Sequence, residues 1–229
     1  MLKKYPKFNL LFALIFILHL IAISNGSAIL QYITKPLIVV SLMAMLAIST
    51  SLKGRFHKRL FTGLFFALSG DVLLMFSSGN QAFFIYGLIA FLIGHIFYIS
   101  AFYLDFSSAP ELDKKGARIA ILVCAVIGMG FYIYIRESLG ILKLPVMVYI
   151  FVISFMMMMA SFRNLRVNVI SFRLILVGAM FFLISDSLLA YNKFAQPFNY
   201  AHLLIMATYM TAQYLITIGG IERKLIATQ

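Results

Sequence analysis

Apolar residues fall in eight long stretches separated by short polar connections, and the positions between those stretches carry most of the charge. The stretches run over residues 8–24, 30–50, 60–77, 81–104, 117–135, 145–162, 169–190 and 200–220. Each predicts a helix, and each is long enough to cross a hydrocarbon core of about 30 Å at about 1.5 Å per residue. The longest connection, 105–116, is too short for a soluble domain. The pattern therefore predicts an all-α, polytopic membrane protein, with eight transmembrane helices in one bundle and a single domain over 1–229.

Two aspartates break this pattern inside apolar stretches, and each opens the same short signature. Gly70-Asp71-Val72-Leu73-Leu74 recurs 115 residues later as Ser185-Asp186-Ser187-Leu188-Leu189. The other acidic residues (Asp105, Glu111, Asp113, Glu137 and Glu222) fall in the connections or at the C-terminus on this reading. A carboxylate at a helix centre costs about 2.5–3.5 kcal/mol on insertion scales, so one held there has a partner or a task. Four helices separate the two, so both helices run the same way. That recurrence fits two four-helix halves in parallel and puts both carboxylates at similar depth in the outer half of the bilayer.

Composition agrees with the membrane reading: 63% of residues are hydrophobic and 11% charged, with a mean hydropathy of +1.00. The net charge of +12 does not point to nucleic acid, because the basic residues lie in the connections and form no continuous face with exposed aromatics. Placing the N-terminus in the cytoplasm puts 15 of the 19 basic residues inside, among them Lys3, Lys4, Lys114 and Arg163. Lys35, Arg136, Lys143 and Lys193 stay outside. This bias predicts that both termini are cytoplasmic. The start resembles a signal peptide, with Lys3, Lys4 and Lys7 before an apolar run, but is read as a retained first helix. Cys124 reads as a small buried hydrophobe.

Several polar residues stand where they could join the aspartates. Gly87, Gly94 and Tyr98 share one face of the fourth stretch, with His95 beside it. His95 fits a site residue and a structural histidine equally well. Lys35 stands in Thr34-Lys35-Pro36. If the helix begins at the proline, Lys35 lies at the surface; if it begins near Ile29, Pro36 kinks it and Lys35 is drawn inward. Lys193 follows Asp186 by seven residues, about two turns. Both lysines could equally reach out to headgroup phosphates. Tyr209 and Gln213 lie on one stripe of the last stretch, and a glutamine in lipid must face the bundle interior. Tyr149 precedes a run of four methionines, Met156 to Met159, that reads as adaptable packing. His19 and His202 lack polar neighbours in the sequence, and His57 reads as a solvated loop residue.

Two desolvated carboxylates at one depth cannot both stay ionised cheaply, so one holds a proton and the other a charge. That pairing serves acid-catalysed ether and acetal chemistry. With His95 the pair could also hold a metal, but no metal-ligand spacing supports this and none is expected. No phosphate-binding glycine loop, serine elbow or Cys/His pair is present.

The ordered set TKPL (34–37), LSGDVLL (68–74), YGLIAFLIGHIFYI (86–99), VYI (148–150), GAMFFLISDSLLAYNKF (178–194) and YMTAQYLI (209–216) resembles the YhhN-like membrane proteins. Characterised members of that family are lysoplasmalogenases. The resemblance implies hydrolysis of the vinyl ether bond of a lysophospholipid within the bilayer, to a fatty aldehyde and a glycerophospho-base, with no cofactor. It implies Asp71 and Asp186 as the catalytic pair. Lys35 and Lys193 would hold the phosphate, and His95, Tyr98, Tyr149, Tyr209 and Gln213 would line the pocket. The expected location is a bacterial plasma membrane; the oligomeric state stays open. The alternative from another class is a proton-coupled transporter or lipid-binding membrane protein that uses the same aspartates.

Overall fold

A chain in lipid must satisfy its backbone hydrogen bonds within each segment, and this one does so with helices. The computed structural model describes residues 5–77, 79–109 and 112–226. Lys3, Lys4, Glu111 and the side chain of Lys114 lie outside the described residues. Within them are α1 (Pro6–Ser24), α2 (Ala28–Thr50), α3 (Gly54–Met75), α4 (Gln81–Phe106), α5 (Lys114–Ile135), α6 (Lys143–Ser161), α7 (Val169–Ala190) and α8 (Ala201–Ile221). A 3₁₀ turn (Arg136–Leu142) joins α5 to α6, and a π turn (Tyr191–Ala195) follows α7.

Among the described residues, six segments are long and apolar enough to cross a membrane. One of them, Lys115–Ser161, contains α5 and α6 together, while α3, with Arg55, Lys58 and Arg59 near its start, is not among the six. The outward faces are apolar: Ile48 is 82% exposed and Phe151 69%. Water would not tolerate such a surface, so these faces meet lipid in a multi-pass integral membrane protein.

The most extensive helix pairs are α3 with α4 and α7 with α8, and α2 packs against both α3 and α8. α6 meets α4 and α7, while α5 packs chiefly along α6. Small residues let α3 and α4 approach closely. A Cβ on Gly94 would lie 3.1 Å from the Gly63 carbonyl oxygen, and one on Gly63 would overlap the Tyr98 ring. This crossing fixes Tyr98 against α3. Gly94→Val is expected to destabilise the protein by about 1–3 kcal/mol through overpacking, read as an earlier thermal unfolding transition in detergent.

One open local reading is decided and two change. α2 begins at Ala28, so Pro36 lies inside the helix and Lys35 is drawn in to 8% exposure. Asp105 does not lie in a connection: α4 runs on to Phe106, and Asp105 is fully buried. There it accepts hydrogen bonds from Arg163 Nε (2.8 Å) and Arg223 Nε (2.7 Å). His57 belongs to α3 rather than a loop. Its ring bridges the carbonyl of Lys53, 2.8 Å from Nδ1, and that of Gly220, 3.2 Å from Nε2.

Candidate active site

The two aspartates occupy equivalent places on α3 and α7 but differ in their partners. Asp71 is 2% exposed. Its Oδ2 accepts a 2.6 Å hydrogen bond from the Tyr209 hydroxyl, and its Oδ1 lies 3.7 Å from Lys35 Nζ. The Tyr209 hydroxyl in turn accepts from Gln213 Nε2 at 3.3 Å, and Gln213 Oε1 accepts from Tyr98 at 2.7 Å. One polar chain thus runs from Tyr98 on α4, through Gln213 and Tyr209 on α8, to Asp71 on α3 and Lys35 on α2. Gln213 is fully buried, and the chain satisfies its amide at both ends.

Asp186 meets a different environment. Its Oδ2 accepts a 2.6 Å hydrogen bond from Tyr149 on α6 and lies 3.9 Å from His95 Nε2 on α4. That gap is too long for a hydrogen bond. His95 is 1% exposed, and neither ring nitrogen has a hydrogen-bond partner among the described residues. Buried polar atoms are rarely left so. Asp186 also borders a cavity of about 40 Å³, walled by Phe84, Tyr149, Ile153 and Phe194 among others. That volume is large enough for a water molecule, with Asp186, Ser187 and Tyr149 in its wall.

The two half-sites meet at Phe182 on α7. Its ring stands edge-on to His95 (centroids 4.7 Å apart) and to Tyr209 (5.5 Å). Sequence reasoning passed over Phe182 because one phenylalanine among 23 carries no signal of its own. Lys193 is exposed in the π turn, with Nζ 4.9 Å from the centroid of Phe84, a wall of the Asp186 cavity. Lys193 therefore stands with the Asp186 group and Lys35 with the Asp71 group. Among the described residues no three His, Cys, Asp or Glu side chains gather as metal ligands.

His19, unpromising in sequence, is 1% exposed, and its Nδ1 lies 2.7 Å from the Thr34 hydroxyl, one residue before Lys35. Its partner comes from the next helix, which spacing along α1 does not show.

The YhhN family model matches residues 30–220. The chain is 32% identical over 170 residues to Lysoplasmalogenase TMEM86A of Homo sapiens, a match covering 72% of this chain and 66% of that protein, just short of two thirds of its length. It is 31% identical over 198 residues to the Lysoplasmalogenase of Mycobacterium tuberculosis, covering 85% of this chain and 72% of the relative. Lysoplasmalogenase TMEM86B of Sus scrofa is 28% identical over 187 residues, covering 82% of this chain and 74% of the relative. No solved structure matches the chain. With five sixths of its length inside the match, the chain belongs to the YhhN family.

Proposed function

We propose that this protein hydrolyses the vinyl ether bond of a lysoplasmalogen, or a closely related ether lipid, inside the membrane. The observation that carries the reading is the contrast between the carboxyls: Asp71 is closed off and paired with a cation, whereas Asp186 borders a water-sized cavity and has no lysine or arginine in contact among the described residues. Relatives named lysoplasmalogenase supply the reaction class.

The chemistry requires a proton on the enol ether carbon remote from oxygen, which leaves an oxocarbenium ion at the carbon bonded to oxygen. Water then adds to that carbon, and the hemiacetal breaks to a fatty aldehyde and a free glycerol hydroxyl. Asp186 has no lysine or arginine in contact among the described residues, so it is the carboxyl that enters the reaction carrying the proton. After transfer its carboxylate faces the cation and takes a proton from the water in the cavity. His95 Nε2 stands 3.9 Å from the same carboxyl oxygen but is not in the wall of that cavity, so it acts on the carboxyl rather than on the water. Asp71, neutralised by Lys35 and oriented by Tyr209, is the standing anion across Phe182. Lys35 being committed to Asp71, the lipid phosphate falls to Lys193.

The topology that serves this chemistry is eight crossings in one domain, with α3 among them and both termini cytoplasmic, in a bacterial plasma membrane. The basic residues at the start of α3 then sit in the cytoplasmic interface, where their stems lie along the helix. The parallel repeat draws support from the matched α3–α4 and α7–α8 pairs, each opening with its aspartate helix.

The direct test is aldehyde release from a lysoplasmalogen by the purified protein in detergent. Folded protein that releases none would turn the reading toward proton-coupled transport. Tyr149→Phe keeps the ring and removes the hydrogen bond to Asp186. Since a hydrogen bond to a carboxylate contributes about 1.5–3 kcal/mol, kcat is expected to fall about tenfold to hundredfold with KM nearly unchanged. An unchanged kcat would remove Tyr149 from the reaction.

A further inference from the structure

The cavity beside Asp186 does not end in a closed wall. On its deep side it is bordered by Gly128 on α5 and Ile150 on α6, and these same residues border an apolar groove of about 640 Å³ between α5 and α6. Gly128 is the sill between the two spaces. A Cβ there would lie 2.6 Å from Ser154 Oγ, so only glycine keeps the helices this close at that point. From Tyr132 the groove runs down α5 to Ile121, about 16 Å at 1.5 Å per residue, and its far α6 wall reaches Met158. α5 leaves the groove open because it packs chiefly on α6 alone.

A second apolar groove, about 350 Å³, lies between α4 and the start of α6. It is bordered by Phe194, next in sequence to Lys193, and so lies on the cationic side of the site. The three features stand in order: a lysine at one rim, the Asp186 cavity in the middle and a long apolar groove leading away from the lysine. That order matches an amphiphile with an anionic head, a reactive bond a few atoms away and one hydrocarbon chain.

We propose that the groove between α5 and α6 is the binding site for the substrate's alkenyl chain, with the vinyl ether bond at the Gly128–Ile150 sill. This proposal rests on the ether-hydrolase reading for the identity of the ligand. The groove takes the one long chain of a lysolipid; a second chain on the glycerol would have only the smaller groove of about 350 Å³ beside Tyr149 and Phe194, next to the cationic rim. Chain length is recognised by how far the methylenes pack against the side chains along α5 and α6.

Two experiments on the full-length protein test this. The first needs no turnover: wild-type protein in lipid nanodiscs is irradiated with a saturated 1-alkyl lysophosphatidylethanolamine carrying a diazirine near the chain end, a lipid with no vinyl ether to cleave. Cross-links are expected at the deep end of the groove, around Cys124, Phe155 and Met158, and in excess over those from a diacyl phosphatidylcholine with the same diazirine. Equal labelling by both lipids, or labelling centred on Ile85 to Leu92 of α4, would overturn the proposal. The second is Ala125→Trp, which fills the groove away from Asp186. The expected result is a loss of about tenfold in kcat/KM for a long-chain lysoplasmalogen, with a butenyl analogue unaffected. Equal losses on both substrates, or none on either, would overturn it. Selective cross-linking without aldehyde release would retain the groove and reject the reaction.

Discussion

Asp186→Asn is expected to lower kcat for lysoplasmalogen hydrolysis by about 10²–10⁴-fold, the contribution of a positioned general acid. The substitution is nearly isosteric. Its amide oxygen can still accept the hydrogen bond from Tyr149, now 2.6 Å long, and no buried cation loses its partner. The folded state should therefore persist, and the loss should appear in kcat with little change in KM. Asp71→Asn is a different experiment. It leaves Lys35, 8% exposed, without the carboxylate 3.7 Å from its Nζ, so both stability and activity should fall. The comparison separates the proton carrier from the standing anion. Aldehyde release at the wild-type rate by a well-folded Asp186→Asn protein would rule out the mechanism proposed here.

Much of this site was legible because membranes penalise polar residues so heavily. Asp71, Asp186 and Gln213 announce themselves by standing in apolar runs, and the Thr34-Lys35-Pro36 step marks Lys35. Their pairing was not legible. Which tyrosine donates to which aspartate depends on the rotation and tilt of α3, α6, α7 and α8 about one another, and spacing within one helix does not encode these. Hence Tyr209, 138 residues from Asp71 in sequence, and Tyr149, on a helix adjacent to α7, were visible as candidates but not as partners. The fold shows the same division. Helix-forming stretches follow from hydropathy, whereas α3, diluted by its basic first turns, begins six residues before its apolar stretch. Asp105 was hidden by its position. A carboxylate at the end of an apolar run reads as the first polar residue of a loop, and only the fold shows the two arginines that enclose it.

Asp105→Asn is expected to cost about 3–5 kcal/mol of stability, the penalty for stranding a buried charge. Asp105 and Arg163 are both fully buried, and Asp105 lies between two guanidiniums, accepting from Arg163 through Oδ2 and from Arg223 through Oδ1. Arg163 also donates from Nη2 to the Ser171 hydroxyl at 2.8 Å, and that hydroxyl donates to the Gly219 carbonyl at 2.7 Å. One carboxylate thus ties the end of α4 to the α6–α7 connection, the start of α7 and the end of α8. The Phe56 ring lies under both guanidiniums, 5.7 Å from Arg163 and 4.3 Å from Arg223, and covers them with apolar surface. Asparagine can still accept one hydrogen bond but cannot neutralise either arginine, so the unfolding midpoint in detergent should drop by about 10 °C. Adding Arg223→Gln should recover part of that loss by removing one of the two stranded charges. Ser171 and Asp186 lie about 22 Å apart along α7, so the variant protein that remains folded should turn over substrate at the wild-type rate. A shift in kcat equal to that of Asp186→Asn would mean that the two ends of the bundle are coupled. An unchanged midpoint would mean that the arginines find other anions. The expected outcome keeps the tasks apart: the arginine end of α4, α7 and α8 holds the helices together, and the aspartate end of α3 and α7, held by that packing, carries the chemistry.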